Sequence, residues 1–299
     1  MTYLFSMLVE GGSIGAVYAL VALGIVVVYK SSSVVNFAQP SLLMLGTYVV
    51  ASAHSLHGLP FWLALSLGVA VTAALAVLID RVLISRFRKT NAVVAASIMT
   101  IGLDIVLVTE TDRRIGSQIL TTGDPWGNDV TRFLGIGVAE ARIAALVIGV
   151  LLLVLFQLWL HRSDFGVAMR ATAEDPETAS LMGIRLGRVS ATAWGIAGAL
   201  AVCAGLFLVA YPSPGLDTSV EAVALRALPA AIIGGLDSTA GAIAGGLLVG
   251  LSEVLVRGYA EQLAFLGRGF EDAAPYVLML VVLLARPSGL FGHREAVRV

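Results

Sequence analysis

Long apolar blocks separated by short polar segments run along the whole chain. Several blocks have the ~20 residues needed to cross ~30 Å of hydrocarbon at ~1.5 Å per residue. Each must be helical, because lipid offers no hydrogen-bond partner to a free backbone group. The pattern therefore predicts an all-α, polytopic transmembrane bundle of eight or nine spans. The blocks cover residues 5–29, 38–54, 61–80, 91–109, 138–160, 189–211, 222–235, 240–256 and 273–286.

Two of these blocks are short and interrupted. Block 38–54 is entered through residues 36–40 (NFAQP), and block 222–235 contains Pro229 and stops at a glycine pair. One such segment in each half is typical of broken or re-entrant helices that line a solute path, and of an inverted repeat. A tilted, kinked span is the alternative. The predicted path residues are Asn36, Gln39, Ser41, Asp104, Gly234 and Gly235.

The polar residues of this set allow more than one role. Asn36 and Gln39 flank a helix break, so they could stabilise it, line the path, or do both. Asp104 is a charge inside a span, which is costly and typical of a functional site. It is expected about four residues from the outer end of its block, where it could instead reach interfacial water.

Composition agrees with a membrane protein. Of 299 residues, 58% are hydrophobic and 13% are charged, whereas soluble domains carry about a quarter charged residues. The mean hydropathy is +0.91. The first positive charge, Lys30, follows the first apolar run, which is unlike a removable signal peptide. The single cysteine, Cys203, lies in an apolar run and is expected to be a packing residue.

Arginine and lysine are concentrated in a few polar segments. Residues 81–90, 161–188 and 286–298, together with Lys30, hold 12 of the 19 basic residues. Basic residues accumulate on the cytoplasmic side of membrane proteins. All these segments are cytoplasmic together if the N-terminus is outside and the C-terminus inside. Segments 110–137 and 257–272 are then external, and residues 1–299 form one transmembrane domain.

Glycines in the last third have the spacing of helix contacts in lipid. Gly241 with Gly245 and Gly246 with Gly250 form two GxxxG pairs, which allow close approach of two helix backbones. The spacing does not say which helix is the partner.

Charged residues in the same region suggest two ion pairs. Glu253 and Arg257 have i,i+4 spacing and predict a pair at a helix end. Glu221 and Arg226 are expected to neutralise each other.

The segment between blocks 138–160 and 189–211 contains a complete short helix. Asp175 is a good N-cap, Pro176 suits the first helical position, and Gly183 fits the left-handed position after the end. The predicted helix covers 176–182. Two turns are marginal alone in water, so a partner protein could hold it. Ala179 is small, which suits close approach to another protein. An amphipathic turn on the membrane surface is the alternative.

Several of these stretches resemble the permeases of branched-chain amino acid ABC importers. The short helix resembles a degenerate form of the loop that couples ABC importer permeases to their ATPases. The tail 286–292 (RPSGLFG) is also similar to the family. The four main matching stretches are 15–24 (GAVYALVALG), 35–46 (VNFAQPSLLMLG), 170–183 and 232–246 (IIGGLDSTAGAIAGG).

The resemblance implies a transport subunit rather than an enzyme, in the bacterial inner membrane and in contact with lipid. The implied partners are two ATPase subunits, a second similar or identical permease and an extracytoplasmic solute-binding protein. No cofactor is expected on this chain. ATP and Mg²⁺ belong on the ATPase, since the chain lacks a phosphate-binding glycine loop. Nothing indicates a metal site, a catalytic residue or nucleic-acid binding. The implied coupling residues are Asp175, Pro176, Glu177, Thr178, Ala179, Ser180, Leu181, Met182 and Gly183.

The chain departs from the family pattern at two turns. The family usually has His-Gly where this chain has Gln39-Pro40, and Gly-Ser-x-Pro-Gly where it has residues 237–241 (DSTAG). Branched-chain or other hydrophobic amino acids are the expected solutes, with urea or short amides as the alternative. An ATPase-independent transporter or channel is a second hypothesis, disfavoured by the scarcity of ionisable residues inside the spans. A membrane scaffold without a path is a third.

Overall fold

The computed structural model describes residues 2–88, 92–116, 118–123, 125–126, 129–133, 136–210, 215–263 and 269–292. A π-helical segment, Asp80–Ile84, joins α3 to α4, and the strands β1 (Val130–Phe133) and β2 (Ile136–Ala139) form an antiparallel hairpin. The α-helices are α1 (Thr2–Ser32), α2 (Gln39–Ser55), α3 (Phe61–Ile79), α4 (Ser85–Arg88), α5 (Val93–Ile115), α6 (Glu140–Arg162), α7 (Asp164–Glu174), α8 (Pro176–Leu181), α9 (Leu186–Val209), α10 (Val220–Leu225), α11 (Ala227–Gly234), α12 (Thr239–Gly258) and α13 (Phe270–Ala285).

The prediction of an all-α polytopic membrane bundle is confirmed. Within the described ranges, six helical segments are long and apolar enough to cross a membrane, and they contain α1, α3, α5, α6, α9 and α12. The other predicted crossings fall on shorter helices, so the count of eight or nine spans stays a prediction.

Helix α1 lies at the centre of the bundle. It packs most extensively against α12 and α9, and also contacts α6 and α11. Residues 15–28 of α1 are buried on every side. A helix that is apolar all round belongs inside a bundle. The outer helices of the bundle carry exposed apolar side chains, such as Val94, Val106 and Leu151.

The glycines of α12 set how closely its neighbours approach. A Cβ atom on Gly246 would collide with the backbone of Ala19, and one on Gly250 with the backbone of Gly15. On another face of α12, Gly245 lies against the backbone of α11 in the same way. The partner helices that the sequence left open are therefore α1 and α11 of the same chain.

The chain is extended inside the bundle before α2 begins. Ser97 Oγ accepts a hydrogen bond from Val35 N at 3.1 Å, and Thr100 Oγ1 accepts one from Phe37 N at 3.0 Å. The Thr100 hydroxyl also lies 3.2 Å from Val35 O. Side chains of α5 thus satisfy backbone groups that have no helical partner, which lets a non-helical segment persist among apolar helices.

The second interrupted block differs in detail from its prediction. It divides into α10 and α11 at Arg226, not at Pro229. Pro229 is the third residue of α11, in the first turn, where its missing N–H leaves no intrahelical bond unmade. Gly235, with φ of +102°, ends α11 in a conformation that favours glycine.

Helix α5 is longer than its apolar block. It continues to Ile115, so the predicted external segment 110–137 starts inside a helix and is further shortened by the hairpin. Glu110 forms ion pairs with Arg113 and Arg114 at 2.8 and 2.6 Å, one turn along the same helix. These i,i+3 and i,i+4 pairs let a charged sequence remain helical, which an apolar boundary does not predict.

The α1–α12 contact predicts a strong effect of one glycine. Gly246→Leu should cost about 3 kcal/mol or more of stability, because the added atoms meet backbone that cannot rotate away. Gly102→Leu is the matched control, since a Cβ there meets nothing within 4 Å. The measurement is the thermal midpoint and the monodisperse yield in detergent. Equal losses in both variants would contradict the contact.

The extended segment before α2 makes a second prediction. Thr100→Val keeps the side-chain volume but leaves Phe37 N without its partner, and should cost about 1–2 kcal/mol. Thr111→Val is the control on the same helix, because that hydroxyl donates to Leu107 O of α5 itself. Thermal denaturation in one detergent compares the two. A Thr100→Val midpoint no lower than that of Thr111→Val would show that the hydroxyl does not hold the segment.

Candidate functional site

The two amides predicted at the first break hold the break together. Asn36 Oδ1 accepts from Ala38 N at 3.1 Å, and Asn36 Nδ2 donates to Gln39 Oε1 at 3.1 Å. Gln39 Nε2 donates to Ala197 O at 3.0 Å, in the middle of α9. Both side chains are fully buried. They therefore stabilise the start of α2 inside the bundle, and direct contact with solute stays a prediction for them.

Asp104 lies deeper in its helix than the sequence suggested. It is the twelfth of the 23 residues of α5, not a residue near the outer end, because α5 continues past the apolar block. It lies beside Ser41, whose Oγ donates to Ala38 O at 3.0 Å. Its Oδ1 is buried without a hydrogen bond from any described residue. The structure thus brings Asn36, Gln39, Ser41 and Asp104 together around the start of α2.

Gly234 and Gly235 have different neighbours from this group. Gly234 packs against the backbone of Gly241 in α12. The C-terminal segment covers the end of α11, where Leu290 N donates to Ile233 O at 2.8 Å and Phe291 N to Gly234 O at 3.0 Å. The two glycines therefore serve close backbone packing at this turn.

A charged cluster lies at the end of the bundle where α12 ends and α13 starts. Glu253 is 1% exposed and accepts hydrogen bonds from Arg226, Arg257 and the Tyr18 hydroxyl, each at 2.7 Å. The predicted Glu253–Arg257 pair is confirmed. A second nitrogen of Arg226 pairs with Asp272 of α13 at 2.8 Å.

The predicted pairing of Glu221 with Arg226 is wrong. Five helical steps of about 100° place two side chains about 140° apart around an axis. Glu221 instead lies within electrostatic range of Asp104 and Asp112. Sequence reasoning identified Arg226 as a charge that needs a partner, but the partner is 27 residues away on α12. Only the helix packing reveals it.

This cluster borders a cavity of about 340 Å³. Its charged lining comes from α6, α12 and α13, from Arg226 just before α11, and from Asp217 before α10. Its apolar lining comes from residues of α1, α9 and α10, including Val17, Phe207 and Val223.

A short capped helix lies at the opposite, arginine-rich end. Asp175 Oδ1 accepts from Glu177 N at 2.9 Å and from Thr178 N at 3.1 Å, and Pro176 starts α8. Gly183 follows with φ of +88°. The structure thus contains the predicted helix with its predicted caps.

The exposed side of α8 is not the side expected from sequence. Ala179 is 3% exposed and faces the protein, so it cannot be the point of close approach to a partner. Leu181 and Met182 are 88% and 79% exposed and project from the end of the helix. Helical spacing without tertiary contacts could not show which face α7 and α9 would cover.

A larger cavity, of about 500 Å³, adjoins α8 and is lined in part by Leu181. It is lined by residues from the end of α1, from α4, α5, α7 and α8, and from the start of α9. Lys30 contributes to its wall, and its Nζ donates to Asp237 O at 2.7 Å. The smaller cavity is lined by residues 13–18, in the middle of α1, and the larger one by residues 30–32, at the end of α1.

The chain is similar over most of its length to known permeases. The family described as "Branched-chain amino acid transport system / permease component" matches residues 7–285. The permease protein LivH of the high-affinity branched-chain amino acid transport system of Escherichia coli K12 is 29% identical, over 99% of this chain and 98% of its own. The probable branched-chain amino acid transport permease protein LivH of Methanocaldococcus jannaschii is 30% identical, over 96% and 92%.

A second kind of permease subunit is also similar. The permease protein LivM of the Salmonella typhimurium system is 26% identical, over 92% of this chain and 67% of LivM. The match to the family runs through every helix from α1 to α13 and through both cavities. This multi-pass membrane protein belongs to the family of permease components of branched-chain amino acid transport systems.

Proposed function

We propose that this protein is the permease subunit of an ABC importer that moves branched-chain amino acids inward. The observation that carries the proposal is α8, a capped helix whose apolar residues Leu181 and Met182 stand exposed at the arginine-rich end. Exposed apolar side chains at a polar end of a membrane protein suit docking to another protein. An ATPase groove is the partner that the family supplies.

The packing around α8 provides a route for mechanical coupling. α8 contacts both α7 and α9, and α7 also contacts α1 and α6. A displacement of α8 by an ATPase would therefore act on several helices at once, including the central one. The cavity beside α8 would change shape with the same displacement, since Pro176 and Ser180 line it.

The proposed assembly has two permeases and two ATPase subunits, with ATP and Mg²⁺ bound by the ATPases. Similarity to both LivH and LivM supports a second, related permease. An extracytoplasmic binding protein would deliver solute to the end that carries Glu253. By the positive-inside rule, the arginine-rich end would face the cytoplasm and the N-terminus would lie on the outer side of the inner membrane. The two halves of the chain would form an inverted repeat in one domain.

The solute is proposed from the relatives, whose names specify branched-chain amino acids. Gln39, one of the two departures from the family pattern, is buried and hydrogen-bonded to the chain itself. Gln39 is therefore not placed to contact a solute directly, and its departure from the family pattern does not favour urea or amides. The ATPase experiment below includes both solutes.

Solute-stimulated ATP hydrolysis tests this function. We expect L-leucine, L-isoleucine or L-valine to raise the ATPase rate of the reconstituted complex with its binding protein, and urea or acetamide to leave it unchanged. The control omits the permease. Stimulation by amides alone would overturn the solute, and leucine uptake without any ATPase would overturn the transporter class.

Docking through α8 makes a separate prediction. Leu181→Asp should weaken ATPase binding by about 2 kcal/mol, roughly thirtyfold, because it places a charge in an apolar contact. Ala173→Asp on the exposed face of α7 is the control. Pull-down of the ATPase is measured at equal membrane levels of permease. If Leu181→Asp binds ATPase and transports as the parent does, α8 is not the coupling element.

A further inference from the structure

The cavity at the end of the bundle opposite α8 combines charge of both signs with an apolar wall. Its charged lining consists of three arginines and four carboxylates, which are Arg142, Arg226, Arg257, Asp217, Glu253, Glu271 and Asp272. Aliphatic and aromatic side chains of other helices complete it. Its volume of about 340 Å³ lies in the range of small-molecule sites, roughly 300–1,000 Å³.

Arg226 holds two carboxylates that differ sharply in burial. Its Nη1 bonds Glu253, which is 1% exposed and also held by Arg257 and Tyr18. Its Nη2 bonds Asp272, which is 61% exposed. A buried pair is costly to break, whereas an exposed pair contributes little. The Arg226–Asp272 bond is therefore the exchangeable one.

We propose that this cavity binds the zwitterionic head of an aliphatic amino acid by exchange at Arg226. The α-carboxylate of the solute replaces Asp272 on Nη2, and the released Asp272 carboxylate takes the α-ammonium group. The aliphatic side chain lies against Val17, Phe207 and Val223. The proposal rests on the proposed function, because it identifies the site that accepts the solute of that importer.

The exchange selects zwitterions by charge balance. A solute that carries both charges replaces one ion pair by two and leaves no buried charge alone. A free carboxylic acid brings an anion beside Asp272 without a cation for it, and an amine or amide offers Arg226 no carboxylate. A solute with one charge leaves a charge unpaired in a partly buried site, which costs binding free energy, and a neutral amide cannot displace Asp272 from Arg226.

Occupation of the cavity can be measured at a single position. Val223→Cys in a Cys203→Ala background places a thiol in the apolar wall of the full-length permease, in lipid nanodiscs. L-leucine at about ten times its dissociation constant should leave roughly a tenth of the cavities empty and slow maleimide labelling about tenfold. Leucinamide, 4-methylpentanoate and urea should not slow it. Gln118→Cys, in a described loop outside the cavity, should label equally in all solutes.

The variant Asp272→Asn should change which solute the cavity prefers. Asp272→Asn removes both the competing anion and the ammonium partner, so 4-methylpentanoate should gain protection and L-leucine should lose it. Glu261→Gln, an exposed charge outside the cavity lining, is the matched control and should preserve the parent pattern. Arg226→Lys should weaken L-leucine protection, since one ammonium group cannot hold Glu253 and a solute carboxylate in the fork geometry of arginine.

The outcomes separate this site from the proposed function. Absence of protection by L-leucine near its solubility limit, equal protection by leucinamide, or an unchanged pattern in Asp272→Asn would show that the charges only hold helices together. The labelling needs neither ATPase nor binding protein. Leucine-stimulated ATP hydrolysis without protection would therefore overturn the site alone, and protection without any ATPase coupling would overturn the importer alone.

Discussion

The close approach of α1 and α12 is the contact on which both ends of the molecule depend. Lipid provides no hydrophobic force between helices, so their association relies on backbone proximity and packing. Gly246 and Gly250 allow this close approach, because a side chain at either position would collide with the backbone of α1. This contact brings Tyr18, in the middle of α1, to Glu253, and Lys30, near the end of α1, to the turn at Asp237.

The second constraint is that every break in a helix needs polar partners. In the extended segment before α2, Ser97 and Thr100 of α5 bond the free backbone groups. Hydrogen bonds from Asn36 to Gln39 and from Gln39 to Ala197 hold the start of α2. At the turn after α11, backbone N–H groups of the C-terminal segment donate to the free carbonyl groups. These partners fix where each break lies, and they connect helices that are distant in sequence.

The two cavities divide the proposed work between the two ends of the bundle. One presents paired charges that an amino acid could exchange, and the other adjoins the exposed helix that an ATPase could push. α1 borders both of them. A movement of α7 or α8 would thus reach the distant cavity through a helix that is packed on all sides and therefore moves as a unit.

Local sequence determined the features whose causes are local. Apolar block length predicted the membrane helices, and the caps at Asp175, Pro176 and Gly183 predicted α8, because capping depends on residues within one turn. The i,i+4 spacing of Glu253 and Arg257 predicted their ion pair for the same reason.

Tertiary structure decided everything that depends on which face a neighbour covers. The apolar block ends where the charged residues of α5 begin, so the sequence predicts Asp104 nearer the end of its helix than it is. Ala179 turned inward because α8 packs on the chain itself, leaving Leu181 and Met182 exposed. Arg226 pairs with Glu253 rather than with Glu221. The fixed rotation per helical residue points Glu221 and Arg226 in different directions. Helix packing then brings Glu253 of α12 to Arg226. The charged cavity cannot be predicted from local sequence, since its residues come from helices that are brought together only by the fold.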